Sequence, residues 1–383
     1  MNTRFGILGT GSIVGKYAQA SRLLPGLELV AIASRDGARA QAAAGQLGIP
    51  QAYGGYEQLL ADPRVDAVIV ALHNGLHCEW TCRALAVGKH VLCEKPLACN
   101  AREAEQMFAA AHANQRWLLE AFMYRFHPQM PEVFRRVRAG EVGRVLQVNS
   151  HRMSQGREPG NMRYRSDAGG GALLDIGCYC VSFSQAVAGG EPRQVTASAH
   201  FDPATGVDLT LTGTLVFEPD PSGGRASRRA ESTGEAAPQR AEQPAAQREP
   251  WSPVAPPAAG KLRPPELITA QFCCSFESEP SYSAEIVGTT GRILIPNPWM
   301  PPSWPSAITV VRAGQSETVC LTPSTAPAHV LASFALELAH FAECIQQNRV
   351  PTFPPGDNAE RASLGIARTL DAVLAAVRSN RTG

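Results

Sequence analysis

Short apolar runs recur along the first third of the chain, and stretches with helical spacing separate them. The runs are Phe5-Gly6-Ile7-Leu8, Leu27 to Ala33, Val65 to Leu72, Val91-Leu92-Cys93 ending on Glu94-Lys95, and Arg116 to Ala121. Bounded apolar runs of this length read as strands buried on both faces, the pattern of a parallel sheet. The alanine-rich stretch after Asp36 reads as a helix that this carboxylate caps. Strands alternating with helices and joined by right-handed crossovers predict a doubly wound parallel sheet, hence an α/β protein. Beyond residue 122 the rhythm changes. A helix is expected over Pro128–Ala139, then strands over Val145–Met153, Val195–Phe201, Val207–Phe217, Leu267–Phe272, Ser283–Val287 and Gly291–Ile295. Helices near Ala328–Gln347 and Asn358–Arg378 close the chain, with Gly356-Asp357-Asn358 as break and cap.

Residues 218–265 break the pattern. They are rich in Pro, Ala, Gly, Arg, Glu and Gln, with Trp251 and Val254 almost the sole large apolar groups. Such a segment cannot bury enough surface to offset its ordering entropy, so it reads as a disordered insertion between two adjacent strands. At 383 residues the chain is long for one core. The expected division is a domain over 1–122 and a second over 123–383. A formal net charge of +1 gives no field for nucleic acid or a membrane surface. The ten cysteines are unpatterned, and Cys273-Cys274 would face opposite sides of a strand, so buried thiols are expected. No leader pattern opens the chain and no stretch reads as a bilayer span, which makes a reducing cytoplasm the expectation.

Candidate chemistry starts at the first strand's end. In Gly9-Thr10-Gly11-Ser12-Ile13, Gly9 allows a tight turn and Gly11 lets a pyrophosphate approach the helix N-terminus. Val14 stands where the dinucleotide fingerprint has its third glycine, with Gly15 one residue late. At the end of the second strand, where an NAD-selective carboxylate belongs, the chain has Ser34-Arg35, with Arg39 a helical turn on. A hydroxyl and two guanidiniums suit a 2′-phosphate, so NADP is favoured over NAD; ordinary solvated arginines are the alternative. After the third strand come Leu72, His73, Asn74, His77, Cys78 and Cys82. Their spacing lacks a matching second ligand group for zinc, and a polar loop over the nicotinamide half of the cofactor explains them more economically. The fourth strand delivers Glu94 and Lys95 to the sheet's carboxyl edge, where Pro96 forces a turn.

These motifs, with Glu120-Ala121-Phe122-Met123-Tyr124-Arg125-Phe126-His127-Pro128 and Gly169-Gly170-Gly171-Ala172-Leu173-Leu174-Asp175-Ile176-Gly177-Cys178-Tyr179, resemble the Gfo/Idh/MocA oxidoreductases. The members most similar are dihydrodiol dehydrogenases and NADP-dependent xylose-type aldose dehydrogenases. The resemblance implies an N-terminal Rossmann domain and a C-terminal domain with a large open, mostly antiparallel sheet that serves as an oligomer interface. It implies that Lys95, Asp175 and Tyr179 are catalytic, with a cis Lys95-Pro96 peptide. Arg125, His127 and Arg163 are candidate substrate contacts, and Arg152, Arg157 and Arg165 lie in the same arginine-rich stretch. At i and i+4 on a helix, Asp175 and Tyr179 share a face, and a nearby ammonium lowers the cost of a phenolate. The expected protein moves hydride between a nicotinamide and a carbinol carbon of a sugar or cyclic diol. A sensor of the same fold without catalysis, or a methyltransferase on a similar sheet, would not need the lysine and tyrosine.

Overall fold

A computed structural model of the chain describes residues 2–155, 160–218, 267–301, 306–321 and 331–379. The first half begins with β1 (Thr3–Leu8), α1 (Ser12–Ser21), β2 (Leu27–Ala33), α2 (Gly37–Leu47), β3 (Gln51–Tyr53) and α3 (Tyr56–Leu60). It continues with β4 (Ala67–Val70), α4 (His77–Ala86), β5 (His90–Glu94), α5 (Ala101–Ala113) and β6 (Leu118–Ala121). The six strands order as β3-β2-β1-β4-β5-β6, all parallel. The order reverses between β1 and β4, the switch point where such sheets take ligands. Register levels the carboxyl ends along one edge. Leu8 pairs with both Ala33 and Val70, Val70 with Cys93, and Glu94 with Ala121. The segments beginning at Gly9, Ser34, Ala71, Lys95 and Phe122 therefore leave the sheet side by side. Periodicity did not reveal β3 or α3, which are too short to carry a period.

The second half contains α6 (Gln129–Arg138), β7 (Val145–Gln155), α7 (Cys178–Ala188), β8 (Gln194–Phe201), β9 (Asp208–Phe217), β10 (Ile268–Ser275), β11 (Glu277–Gly288) and β12 (Gly291–Ile295). Then come β13 (Ser306–Arg312), β14 (Gln315–Leu321), α8 (Ala332–Gln346) and α9 (Ala359–Ser379). Eight strands order as β14-β13-β12-β11-β7-β10-β9-β8, antiparallel except where β10 runs parallel to β7. The hairpin β13–β14 was not expected. Its inward Ile308 and Val310 are buried, but the alternation is brief and follows a proline-rich stretch. The expected disordered insertion falls almost wholly outside the described residues.

One apolar cluster runs from Phe5, Ile7 and Leu119 of the first sheet to Leu211, Phe272 and Ile286 of the second. Helix α7 packs on β7 and β10, while α8 returns to α1 and α9 to α5 and β6. Against the sequence expectation, the stretch Ser166–Ala188 is long and apolar enough by composition to cross a bilayer. Its most apolar window is 78% buried inside the protein, the signature of a core helix. All ten cysteines are free thiols.

Candidate active site

A cleft of about 1110 Å³ opens along the carboxyl edge of the first sheet. One wall comes from the glycine loop and the ends of β2, β4 and β5, the other from β7 and the approach to α7. Gly9 has φ +115°, and a Cβ there would sit 2.3 Å from the Ala71 carbonyl oxygen, so only glycine lets the loop cross β4. A Cβ on Gly11 would meet nothing within 4 Å. That open space lies over the N-terminus of α1, whose cap carries no side-chain hydrogen bond. Backbone N–H groups facing open space at a helix start suit a phosphate.

Arg35 and Arg39 are exposed on the cleft wall. The Ser34 hydroxyl accepts from the Asp36 N–H at 3.3 Å. Asp36 caps α2 through Ala38 and Arg39 N–H groups at 2.9 and 3.2 Å, as expected of a cap. Tyr56 joins this corner: burial raises its pKa, and the Arg35 guanidinium beside its hydroxyl opposes the rise. His73 and Asn74 line the middle of the cleft, and the Asn74 amide donates to the Gly169 carbonyl at 2.7 Å.

At the far end Lys95, Asp175 and Tyr179 converge. The Lys95-Pro96 peptide is cis. The Lys95 ammonium donates to Asp175 Oδ1 at 3.1 Å and to the Asp175 carbonyl at 2.5 Å. Their side chains are 12% and 17% exposed, so little water screens the pair. Arg163 donates to the other carboxylate oxygen at 2.6 Å. Burial works against both charges, yet each partner more than offsets it. The Lys95 pKa is raised by Asp175 and Tyr179, and the Asp175 pKa is lowered by Lys95 and Arg163.

The expected single helix is two pieces. Leu173–Gly177 forms a π-turn, and α7 begins at Cys178. Gly171, at φ +116°, leads into it, and a Cβ there would strike the Asp208 carboxylate at 2.1 Å. That carboxylate accepts from the Leu173 N–H at 2.6 Å and caps the turn; burial lifts its pKa to about 6. Tyr179 is 4% exposed, and its ring centroid lies 5.1 Å from Lys95 Nζ. Its hydroxyl faces Met123 Sδ at 4.0 Å. Lys95 thus acts on the phenol through its charge and not through a hydrogen bond. Burial raises the Tyr179 pKa, while Lys95 and Arg152 oppose that rise.

Three sequence candidates lie outside the lining. His77 is fully buried beneath it, with Nδ1 2.9 Å from the Pro96 carbonyl and Nε2 3.1 Å from that of Leu72. It ties the end of β4 to the Lys95-Pro96 turn and does not face the cleft. Arg125 is 1% exposed and donates to Asp357 Oδ2 at 2.7 Å, and His127 is 3% exposed with its ring accepting from the Gln129 N–H. Both belong to the core between β6 and α6, because the turn after β6 points inward. Arg165 pairs with neighbouring Asp167, and Arg157 lies outside the described residues. In the other direction, sequence reasoning missed Lys16, Met123, Met300 and Phe334 on the lining, and noted Arg152 there only as part of an arginine-rich stretch. Arg152 is on β7, on the face that also buries Val148 and Ser150.

The profile of an oxidoreductase family with an NAD-binding Rossmann fold matches residues 3–122, and that of a GFO/IDH/MocA C-terminal domain matches residues 131–243. A D-xylose 1-dehydrogenase (NADP(+)) of Haloferax volcanii is 43% identical over 217 residues, 56% of this chain and 66% of that protein. A trans-1,2-dihydrobenzene-1,2-diol dehydrogenase of Xenopus laevis is 36% identical over 225 residues, 57% of this chain and 66% of its own. The matched stretch thus spans just under two thirds of these relatives. Among solved structures, a 3-ketoreductase from Actinomadura kijaniata in complex with NADP and TDP-benzene superposes with a TM-score of 0.78 at 28% identity, covering 98% of both chains. That reductase has also been solved with a lysine and with a tyrosine substituted, at two positions separated as Lys95 and Tyr179 are here. With both halves matched and the six-stranded and eight-stranded sheets in place, the chain belongs to the Gfo/Idh/MocA oxidoreductase family.

Proposed function

We propose that this protein is an NADP-dependent dehydrogenase or reductase acting on a carbinol carbon of a sugar or cyclic diol. The observation that carries the reading is the meeting of Lys95, Asp175 and Tyr179 in the cleft that the glycine loop opens. NADP would be held by Gly9 to Ile13 at its pyrophosphate and by Arg35 and Arg39 at its 2′-phosphate, with His73, Asn74 and Glu94 along its nicotinamide half. The nicotinamide supplies the hydride acceptor or donor. The chain's own residues manage one proton. In the oxidising direction the substrate hydroxyl gives its proton to Tyr179 in its phenolate form as hydride leaves the same carbon, and the carbonyl product is released. In the reducing direction Tyr179 returns that proton to the new alkoxide. Lys95 holds positive charge beside the oxygen that becomes anionic, and Asp175 with Arg163 fixes Lys95 in place.

Residues 1–122 form the cofactor domain in this reading and 123–383 the substrate and assembly domain. The second sheet leaves one face open, lined by Asn149, His151, Thr196, Thr212, Gln271 and Ser283. A second copy would cover it, making a dimer or tetramer. Ten free thiols suit a reducing cytoplasm. The test is reduced-nicotinamide absorbance with NADP and NAD against a panel of aldoses and cyclic diols. Turnover with NADP on one of them supports the reading, and none across the panel with NADPH bound overturns it.

A further inference from the structure

Two cations sit on the Tyr179 ring, and they are not equally free. Lys95 is committed to Asp175 by two hydrogen bonds, so much of its charge is neutralised where it stands. The Arg152 guanidinium carbon lies 3.9 Å from the Tyr179 centroid, closer than Lys95 Nζ at 5.1 Å. Arg152 forms no ion pair among the described residues. Its Nη1 is buried with no hydrogen-bond partner among them. A charged donor withdrawn from water without a partner is costly, and only contacts such as the ring face beneath it compensate. A cation in that position favours the phenolate over the phenol.

We propose that Arg152 is a positioning residue for the proton carrier: its charge over the ring, added to that of Lys95, holds Tyr179 ready to ionise. The inference rests on reading Tyr179 as the group that exchanges the substrate proton. The other groups facing that ring include a second cation, Lys95, whose effect adds to that of Arg152. From the end of β5 come Lys95, already paired, and Glu94, which opposes ionisation. Tyr17 approaches from α1, and Cys178 and Asp175 lie on the same turn and helix as Tyr179. Tyr124, with its ring centroid 5.7 Å away, is neutral and bonded to Ser182. Arg152 is thus the cation near Tyr179 that no carboxylate bonds among the described residues, Asp175 reaching it only through space.

The test is a pH titration of the tyrosinate ultraviolet band in the full-length protein. Subtracting the spectrum of Tyr179→Phe isolates Tyr179. Arg152→Gln, corrected by its own Tyr179→Phe background, should move that transition up by about 1–2 pH units, and Arg152→Lys should restore most of the shift. With a turned-over substrate, the pH at which oxidation reaches half its plateau should move by the same interval. Turnover at neutral pH would then fall about 10–100-fold and return in alkali, with the KM for NADP unchanged. In the Tyr179→Phe background, Arg152→Gln should cost nothing further. An unmoved tyrosinate transition, or a loss of rate uniform across pH, overturns the proposal. The optical titration needs no substrate, so it stands or falls apart from the reaction proposed above.

Discussion

Arg125 and Lys95 are both cations just beyond a strand of the first sheet, withdrawn from water and paired to a carboxylate, yet their surroundings differ. Arg125 is enclosed. Its guanidinium lies 5.2 Å from the Phe134 ring and 5.0 Å from that of Phe353, and Asp357 closes the far side. Lys95 has the same kind of carboxylate partner but lies on a cleft wall, with a tyrosine in reach of its field. Walled in by rings, a paired charge can only hold elements together. Beside a cavity, the same pair presents charge to whatever enters. Burial and pairing do not separate the two roles; adjacency to open space does.

The largest expected effect breaks the reactive side of the comparison. Tyr179→Phe removes the proposed acid–base group and keeps the ring, so cofactor affinity should hold while kcat falls roughly 10²–10⁴-fold. Lys95→Ala should fall at least as far, and the double variant little further, because residues acting as a unit are not additive. Full activity in Tyr179→Phe, measured by NADPH absorbance, would hand the proton to another group. On the enclosed side, Arg125→Met should leave turnover per folded molecule intact and cost about 3 kcal/mol of unfolding free energy in urea. The loss is no larger because Asp357 keeps Arg138 at 3.0 Å. Lost turnover at unchanged stability would place Arg125 among the reactive residues.

How far the sequence carries this comparison depends on the kind of signal. The parallel sheet was legible because Val91 to Cys93 and Ala67 to Val70 are buried on both faces, which leaves an unbroken apolar run. Lys95, Asp175 and Tyr179 were legible as motif residues. Arg125 stood in an equally conspicuous motif, and nothing local separates a motif held for packing from one held for chemistry. His77 illustrates the same gap, since its two carbonyl partners, Leu72 and Pro96, lie just past the ends of the neighbouring strands β4 and β5. The π-turn under Asp175 was invisible, because the Asp208 cap that closes it arrives from β9, far along the chain.

A smaller effect sharpens the cofactor end. Arg35 is exposed on the cleft wall and faces the Tyr56 hydroxyl. A charge-assisted contact with a 2′-phosphate contributes about 1.5–3 kcal/mol. Arg35→Ala should therefore weaken NADP binding by roughly ten- to a hundredfold and leave NAD nearly untouched, as titration calorimetry with each would register. Equal losses would move the selectivity to Arg39 or Tyr56.

The smallest effect tests whether burial without a cation behaves differently from burial with one, and it uses Glu120 against Asp175. Glu120 is 1% exposed on β6, and its Oε1 accepts from the Leu97 N–H at 2.8 Å, just past the Lys95-Pro96 turn. Burial, with no cation bonded to it, lifts its pKa from 4.5 to about 7. Asp175, held by Lys95 and Arg163, moves the opposite way. The signs of their contributions are therefore opposed. A carboxylate with a depressed pKa stabilises the fold above its unfolded value and loses that contribution as pH drops through the folded one. Glu120 stabilises the fold as the neutral acid, below 4.5, and loses that contribution as pH rises through about 7. Glu120→Gln keeps an acceptor for the Leu97 N–H and cannot ionise. It should match the native protein near pH 5 and exceed its stability near pH 8 by about 1–2 kcal/mol, since water entry softens the cost of burying the charge. Asp175→Asn should instead lose stability at both pH values, because it leaves the Lys95 ammonium without its countercharge. Urea unfolding at the two pH values reads both variants. A stability difference for Glu120→Gln that does not change with pH would mean that Glu120 is ionised in the fold, with a cation close enough to play the part Lys95 plays for Asp175.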